Sequence, residues 1–130
     1  MKKILRAVAC ICAGLLLLTA VFCIGHGFTR MSAVCIGDFA VSDDGNEMTV
    51  RVMVTSSIGY VRSVRVSEEK DGRLYLDCLS AFGGLNGNIG AKDTFTIPLR
   101  EDTDVIALYS SDGYRDELVR EDGTWRRTVQ

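Results

Sequence analysis

A chain of 130 residues with a formal net charge of −2 has room for one domain and little more. Residues 31–130 hold eleven of the fifteen bases and all seventeen acids, a formal −6, and no basic run. That balance argues against nucleic acid as a partner, because phosphate neutralisation drives such binding, and it offers no attraction to an anionic lipid face.

The N-terminus is different. Lys2, Lys3 and Arg6 precede nineteen uncharged residues, Ala7 to Gly25, and Gly27 to Thr29 prolong the apolar run past His26. About 20 apolar residues are needed to cross a bilayer, whereas a signal peptide has a shorter core and a small-x-small cleavage site. The run is long and its end lacks Ala-x-Ala, so its length favours a signal anchor over a cleaved peptide. With the bases held in the cytoplasm, residues 31–130 lie outside. Two localisations stay open: a single-pass membrane protein with its C-terminal domain outside, or a secreted one. Lipidation at Cys23 is disfavoured by the bulky Phe22 before it. Cys10, Cys12 and Cys23 read as small apolar residues of a helix. The chain divides into 1–30, the anchor or signal, and 31–130, an exported β domain.

The exported part alternates like strands. Val34 to Val41 is a first candidate, and Ser42 to Asn46 is a turn. Glu47 to Ser56 places Met48, Val50, Val52 and Val54 on one face, the strongest period-two signal in the chain. Tyr60 to Glu68 follows, with an irregular start at Tyr60 to Arg62 that suggests a bulge. In Arg73 to Phe82, Leu74, Leu76 and Cys78 share one face while Tyr75, Asp77, Leu79 and Ala81 share the other. Apolar residues on both faces mark a central strand, covered on both sides toward its end. Phe95 to Leu99 is a strand demoted to an edge by Pro98. Val105 to Tyr109, Tyr114 to Arg120 and Thr124 to Val129 complete the set. Asp-Gly pairs at 44–45, 71–72, 112–113 and 122–123 suit two-residue hairpin turns. These features predict an all-β domain: a small antiparallel β-sandwich of immunoglobulin-like type, or a barrel, of seven to eight strands behind one hydrophobic helix.

Chemistry is mostly excluded. His26 is the sole histidine, which removes Ser-His-acid and Cys-His catalysis and the usual histidine metal sites from residues 31–130. No Gly-x-Ser-x-Gly, His-Glu-x-x-His or Cys-x-x-Cys occurs there. The acids Asp43, Asp44 and Glu47, or Asp112, Asp116 and Glu117, lack calcium-loop spacing and read as turn chemistry. No cofactor or metal is expected. The glycine-rich stretch 83–90 runs into a strand rather than a helix N-terminus, so it reads as a connection between sheets rather than a phosphate loop. Its Gly83, Gly84, Asn86 and Asn88, with Lys92, form a candidate interaction loop. Trp125 with Tyr60, Tyr75, Tyr109 and Tyr114 are packing residues or an aromatic platform. Cys35 and Cys78 are either an exported disulfide or two thiols on separate strands, the latter being the simpler.

The runs Gly59-Tyr-Val-Arg-Ser-Val-Arg-Val66, Leu74-Tyr-Leu76, Ala81-Phe-Gly-Gly-Leu-Asn-Gly-Asn-Ile-Gly-Ala-Lys92 and Asp112-Gly-Tyr114 carry a resemblance. Together they resemble a small bacterial extracytoplasmic domain found at the C-terminal ends of beta-lactam-sensor-type membrane metallopeptidases and in short stand-alone exported proteins. The resemblance covers about residues 47–127. It implies an appended β domain and brings no catalytic residues, since the chain has no His-Glu-x-x-His. The expected function is a non-enzymatic binding module at the outer face of the membrane, its partner a protein or an envelope component. The alternatives are a carboxylate-dependent envelope hydrolase and an accessory subunit of a membrane complex.

Overall fold

A computed structural model of the chain describes residues 1–83 and 87–129. The apolar N-terminus forms one helix, α1 (Lys2–His26), with no buried residue. Its most apolar eighteen residues have a mean hydropathy of 2.7, so α1 is long and apolar enough to cross a membrane.

Nine strands follow among the described residues: β1 (Arg30–Met31), β2 (Val34–Val41), β3 (Glu47–Val54), β4 (Val61–Lys70), β5 (Arg73–Ser80), β6 (Thr94–Pro98), β7 (Val105–Ser110), β8 (Gly113–Glu121) and β9 (Thr124–Arg127). They make two sheets. One is β2-β3-β6; the other runs β1-β5-β7-β8-β9 with β4 on the opposite edge of β5. Residues from both sheets meet in a single apolar cluster. Val34, Met48, Val50 and Ile97 of the smaller sheet join Leu74, Leu76, Ile106 and Leu118 of the larger. Burying each such side chain stabilises by about 1.5–3 kcal/mol relative to leaving it in water. Edge contacts tie the sheets as well: the buried Glu117 on β8 accepts from the Ile36 backbone N–H of β2 at 3.2 Å.

Eight of the nine strands coincide with the alternating runs read from the sequence. Pro98 ends β6, which pairs only with β3, so the missing N–H costs no ladder bond. The irregular start of β4 is a register shift between Val61 and Ser63. The fold departs from expectation in three places. The ninth strand, β1, is only two residues long and has no periodic signal. It exists because the chain leaving α1 pairs with the end of β5: Phe28 N–H donates to Ser80 O at 2.9 Å, and Ser80 N–H to Thr29 O at 2.8 Å. Second, the domain is not wholly antiparallel: β5 and β7 pair in parallel, Arg73 with Val105 through Leu76 with Leu108. The glycine-rich connection carries the chain from β5 into the other sheet. The chain then returns and enters β7 running the same way, which no hairpin could do.

Third, only two Asp-Gly pairs are hairpin centres. Asp71 and Gly72 both have positive φ, at 53° and 75°, as do Asp122 and Gly123, at 51° and 76°. In the third, Ser110 pairs with Gly113, so Ser111 and Asp112 make the turn. At 42–47 the Asp44 carboxylate accepts from Ser42 Oγ at 2.6 Å and from Asn46 N–H at 3.1 Å. Those bonds hold the Asp44 carboxyl below its ordinary range.

Candidate functional site

The pleat of β5 decides the arrangement. With Leu74, Leu76 and Cys78 turned into the core, Tyr75, Asp77 and Leu79 fall on the outer face of the larger sheet. Asp77 is nonetheless only 1% exposed. A buried carboxylate requires paired charge and hydrogen bonds, and other strands of the sheet supply them. Tyr114 of β8 donates its hydroxyl to Asp77 Oδ1 at 2.7 Å. Arg65 lies directly across on β4 and donates Nη2 to Oδ2 at 3.1 Å. Arg30 of β1 places Nη1 3.8 Å from Oδ1. The Arg30 guanidinium also lies over the Tyr109 ring of β7, 3.6 Å from its centroid, a cation–π contact. Tyr114 packs edge-on against Tyr75 at 5.0 Å and Tyr109 at 5.7 Å. Arg73 and Asp116, 2.6 Å apart, continue the row.

The result is a rigid face of tyrosine and arginine built on a buried acid. Arg30 and Arg65 keep 43% and 50% of their side chains exposed, so each offers further N–H donors to a partner. Arginine and tyrosine on a preorganised surface are the residue types that dominate binding interfaces. Asp77 is thus held by Tyr114, Arg65 and Arg30 together. The other buried acid, Glu117, points away toward β2 and accepts from Arg115 Nη2 at 2.6 Å.

The aromatic set named from the sequence divides. Tyr75, Tyr109 and Tyr114 come together; Trp125 and Tyr60 do not join them. Trp125 sits beside Phe39 and Gly123 in a cleft of about 360 Å³ at the far end of the domain. Tyr60 lines another cleft, of about 350 Å³, beside the end of α1 with Phe28, Met31 and Ile58. In the candidate loop, Gly84 and Asn86 lie outside the described residues. Gly83 has φ 118°, Asn88 is exposed and its carbonyl accepts from Ala91 N–H, and Lys92 N–H donates to Val61 O. Arg62 of β4 ties that loop to the helix end: Nε donates to Gly25 O at 3.2 Å and Nη1 to Gly90 O at 2.8 Å. A cation there complements the negative end of the helix dipole.

Cys35 and Cys78 both stand as free thiols in this structure. Cys78 faces the core, whereas Cys35 lies on the side of β2 opposite the buried Val34 and Ile36. Burial, and then the nearby charges of Asp77 and Glu117, push the Cys78 thiol up to about 12, which keeps it neutral and inert. Among the described residues, no three His, Cys, Asp or Glu side chains gather as a metal site.

Sequence reasoning missed Arg30 and Arg65 as partners of Asp77. For Arg65 a signal existed: it opposes the alternating Val64 and Val66 of β4. For Arg30 none did, because its place depends on β1. Comparisons with protein-family models, with curated proteins and with solved structures find no match to this chain.

Proposed function

We propose that the chain is a non-enzymatic interaction module, anchored by α1 with its β domain outside the membrane. Two sheets that share one apolar cluster support reading the domain as a small β-sandwich of the appended extracytoplasmic type that the sequence resembles. The observation that carries the reading is the outer face around Asp77. Tyr114 and two half-exposed arginines are held there by a carboxylate that is itself buried, and Tyr75 and Tyr109 pack against Tyr114. Fixing long side chains before binding lowers the entropy lost on association. The partner that fits is a protein surface presenting acidic and aromatic groups. The hydrolase alternative is weakened because each buried carboxylate is bonded to arginine and the two face apart.

In-cell photo-crosslinking tests the face. A photoreactive phenylalanine replacing Tyr109 should give one discrete protein adduct. The same group replacing Met53, exposed on the smaller sheet, should give none. Tyr114→Ala should reduce the Tyr109 adduct about tenfold, the effect of losing one interface anchor. Equal labelling from both positions, or an adduct indifferent to Tyr114→Ala, rejects this face.

A further inference from the structure

A second surface lies where the helix meets the domain. Phe28, Ile58, Tyr60, Phe82 and Ile89 are all exposed apolar or aromatic side chains. They come from three separate segments yet gather at one end. Phe28 packs edge-on against Phe82 at 6.1 Å, Phe82 bridges to Ile89, and Ile58 and Tyr60 share a cleft with Phe28. Water is a poor solvent for so contiguous an apolar patch.

The end of α1 locates that patch. The apolar run Ala7 to Gly25 is nineteen residues, or about 28 Å of helix, close to the thickness of the hydrocarbon core. Its boundary with the headgroups therefore falls near Gly25 and His26. No free linker follows. Arg62 bonds the Gly25 carbonyl, Ser63 Oγ bonds the His26 carbonyl, and Phe28 is already paired with Ser80. Gly90 packs so closely on the last turn that a Cβ there would lie 3.4 Å from Ile24 Cγ2. The headgroup zone extends roughly 5–8 Å beyond the hydrocarbon, so residues packed around the helix end sit within it. Aromatic side chains favour that depth, and Lys92, beside Arg62, can reach the phosphates.

We infer that this end of the domain is seated in the lipid interface. Phe28, Tyr60 and Phe82 form an aromatic skirt in the headgroup layer, and the domain stands directly on the bilayer with the Asp77 face turned sideways to it. The inference rests on the reading of α1 as a membrane anchor.

The full-length protein in phosphatidylcholine vesicles decides it. Trp125 is the sole tryptophan and lies at the far end, so the wild type is its own control. Two variants move the reporter to the skirt: Tyr60→Trp and Phe28→Trp, each with Trp125→Phe. With lipids brominated near the top of their acyl chains, emission from the skirt variants should fall by about half, the response of a group at 5–10 Å interfacial depth. Wild-type emission should stay unchanged. Variants that float with the vesicles after an alkaline wash yet show no quenching overturn the skirt while leaving the anchor in place. Protein that does not float with the vesicles overturns both. Equal quenching of the wild type would mean the domain lies on its side, which also overturns the inference.

Discussion

Gly27→Val should destabilise the β domain by about 3 kcal/mol, the sum of backbone strain and overpacking at one site. Gly27 follows α1 and is buried, with φ 98° and ψ 172°, a region essentially closed to residues with a Cβ. The space is closed too: a Cβ there would lie 2.6 Å from Leu79 Cβ and 3.1 Å from Ser63 Oγ. Neither neighbour can withdraw easily, since Leu79 sits on the central strand and Ser63 is bonded to the His26 carbonyl. The contrast is two residues away. Gly25 has nothing within 4 Å of its Cβ position, so Gly25→Ala should be neutral or stabilise by up to about 1 kcal/mol, as alanine does in a helix. Urea unfolding of the full chain in micelles compares the two. Equal midpoints would show that the junction does not dock on β5.

The second large effect concerns Asp77. Arg30→Ala with Arg65→Ala should cost about 3 kcal/mol, because a buried carboxylate loses its compensating charges. Each single change should cost only about 1 kcal/mol, since the other arginine and Tyr114 remain and both guanidinia are half in water. Adding Asp77→Asn to the double variant should restore most of the loss: the amide needs no counter-charge and can still accept from Tyr114. That rescue separates an electrostatic role from mere packing of the arginine stems. If the double variant unfolds at the wild-type midpoint, Asp77 is not held by these arginines and the face loses its basis.

How much of this was legible follows from where each contact lies in the chain. Alternation placed β2 through β9, because inward and outward residues differ in polarity along each strand. It even placed Tyr75 and Asp77 on the face opposite Leu74 and Leu76. The parallel pairing of β5 with β7 was not legible, since strand direction depends on the route through the other sheet. Nor was the convergence on Asp77. Arg30 carried no periodic signal, and Tyr109 and Tyr114 read as two of several aromatics. They meet only through pairings between distant segments. Gly27 looked like more of the apolar run; its positive φ and its contact with Leu79 belong to the junction alone.

Both the anchor and the docked junction require that α1 stay joined to the sheet it docks on. Intact-mass measurement of the native protein, from separated membrane and soluble fractions, tests that directly. The prediction is the uncleaved chain of 14.2 kDa in the membrane fraction, with Met1 to His26 still present. A shorter chain beginning near residue 26 to 28 in the soluble fraction would contradict it, and would remove both the anchor and the lipid-seated end of the domain.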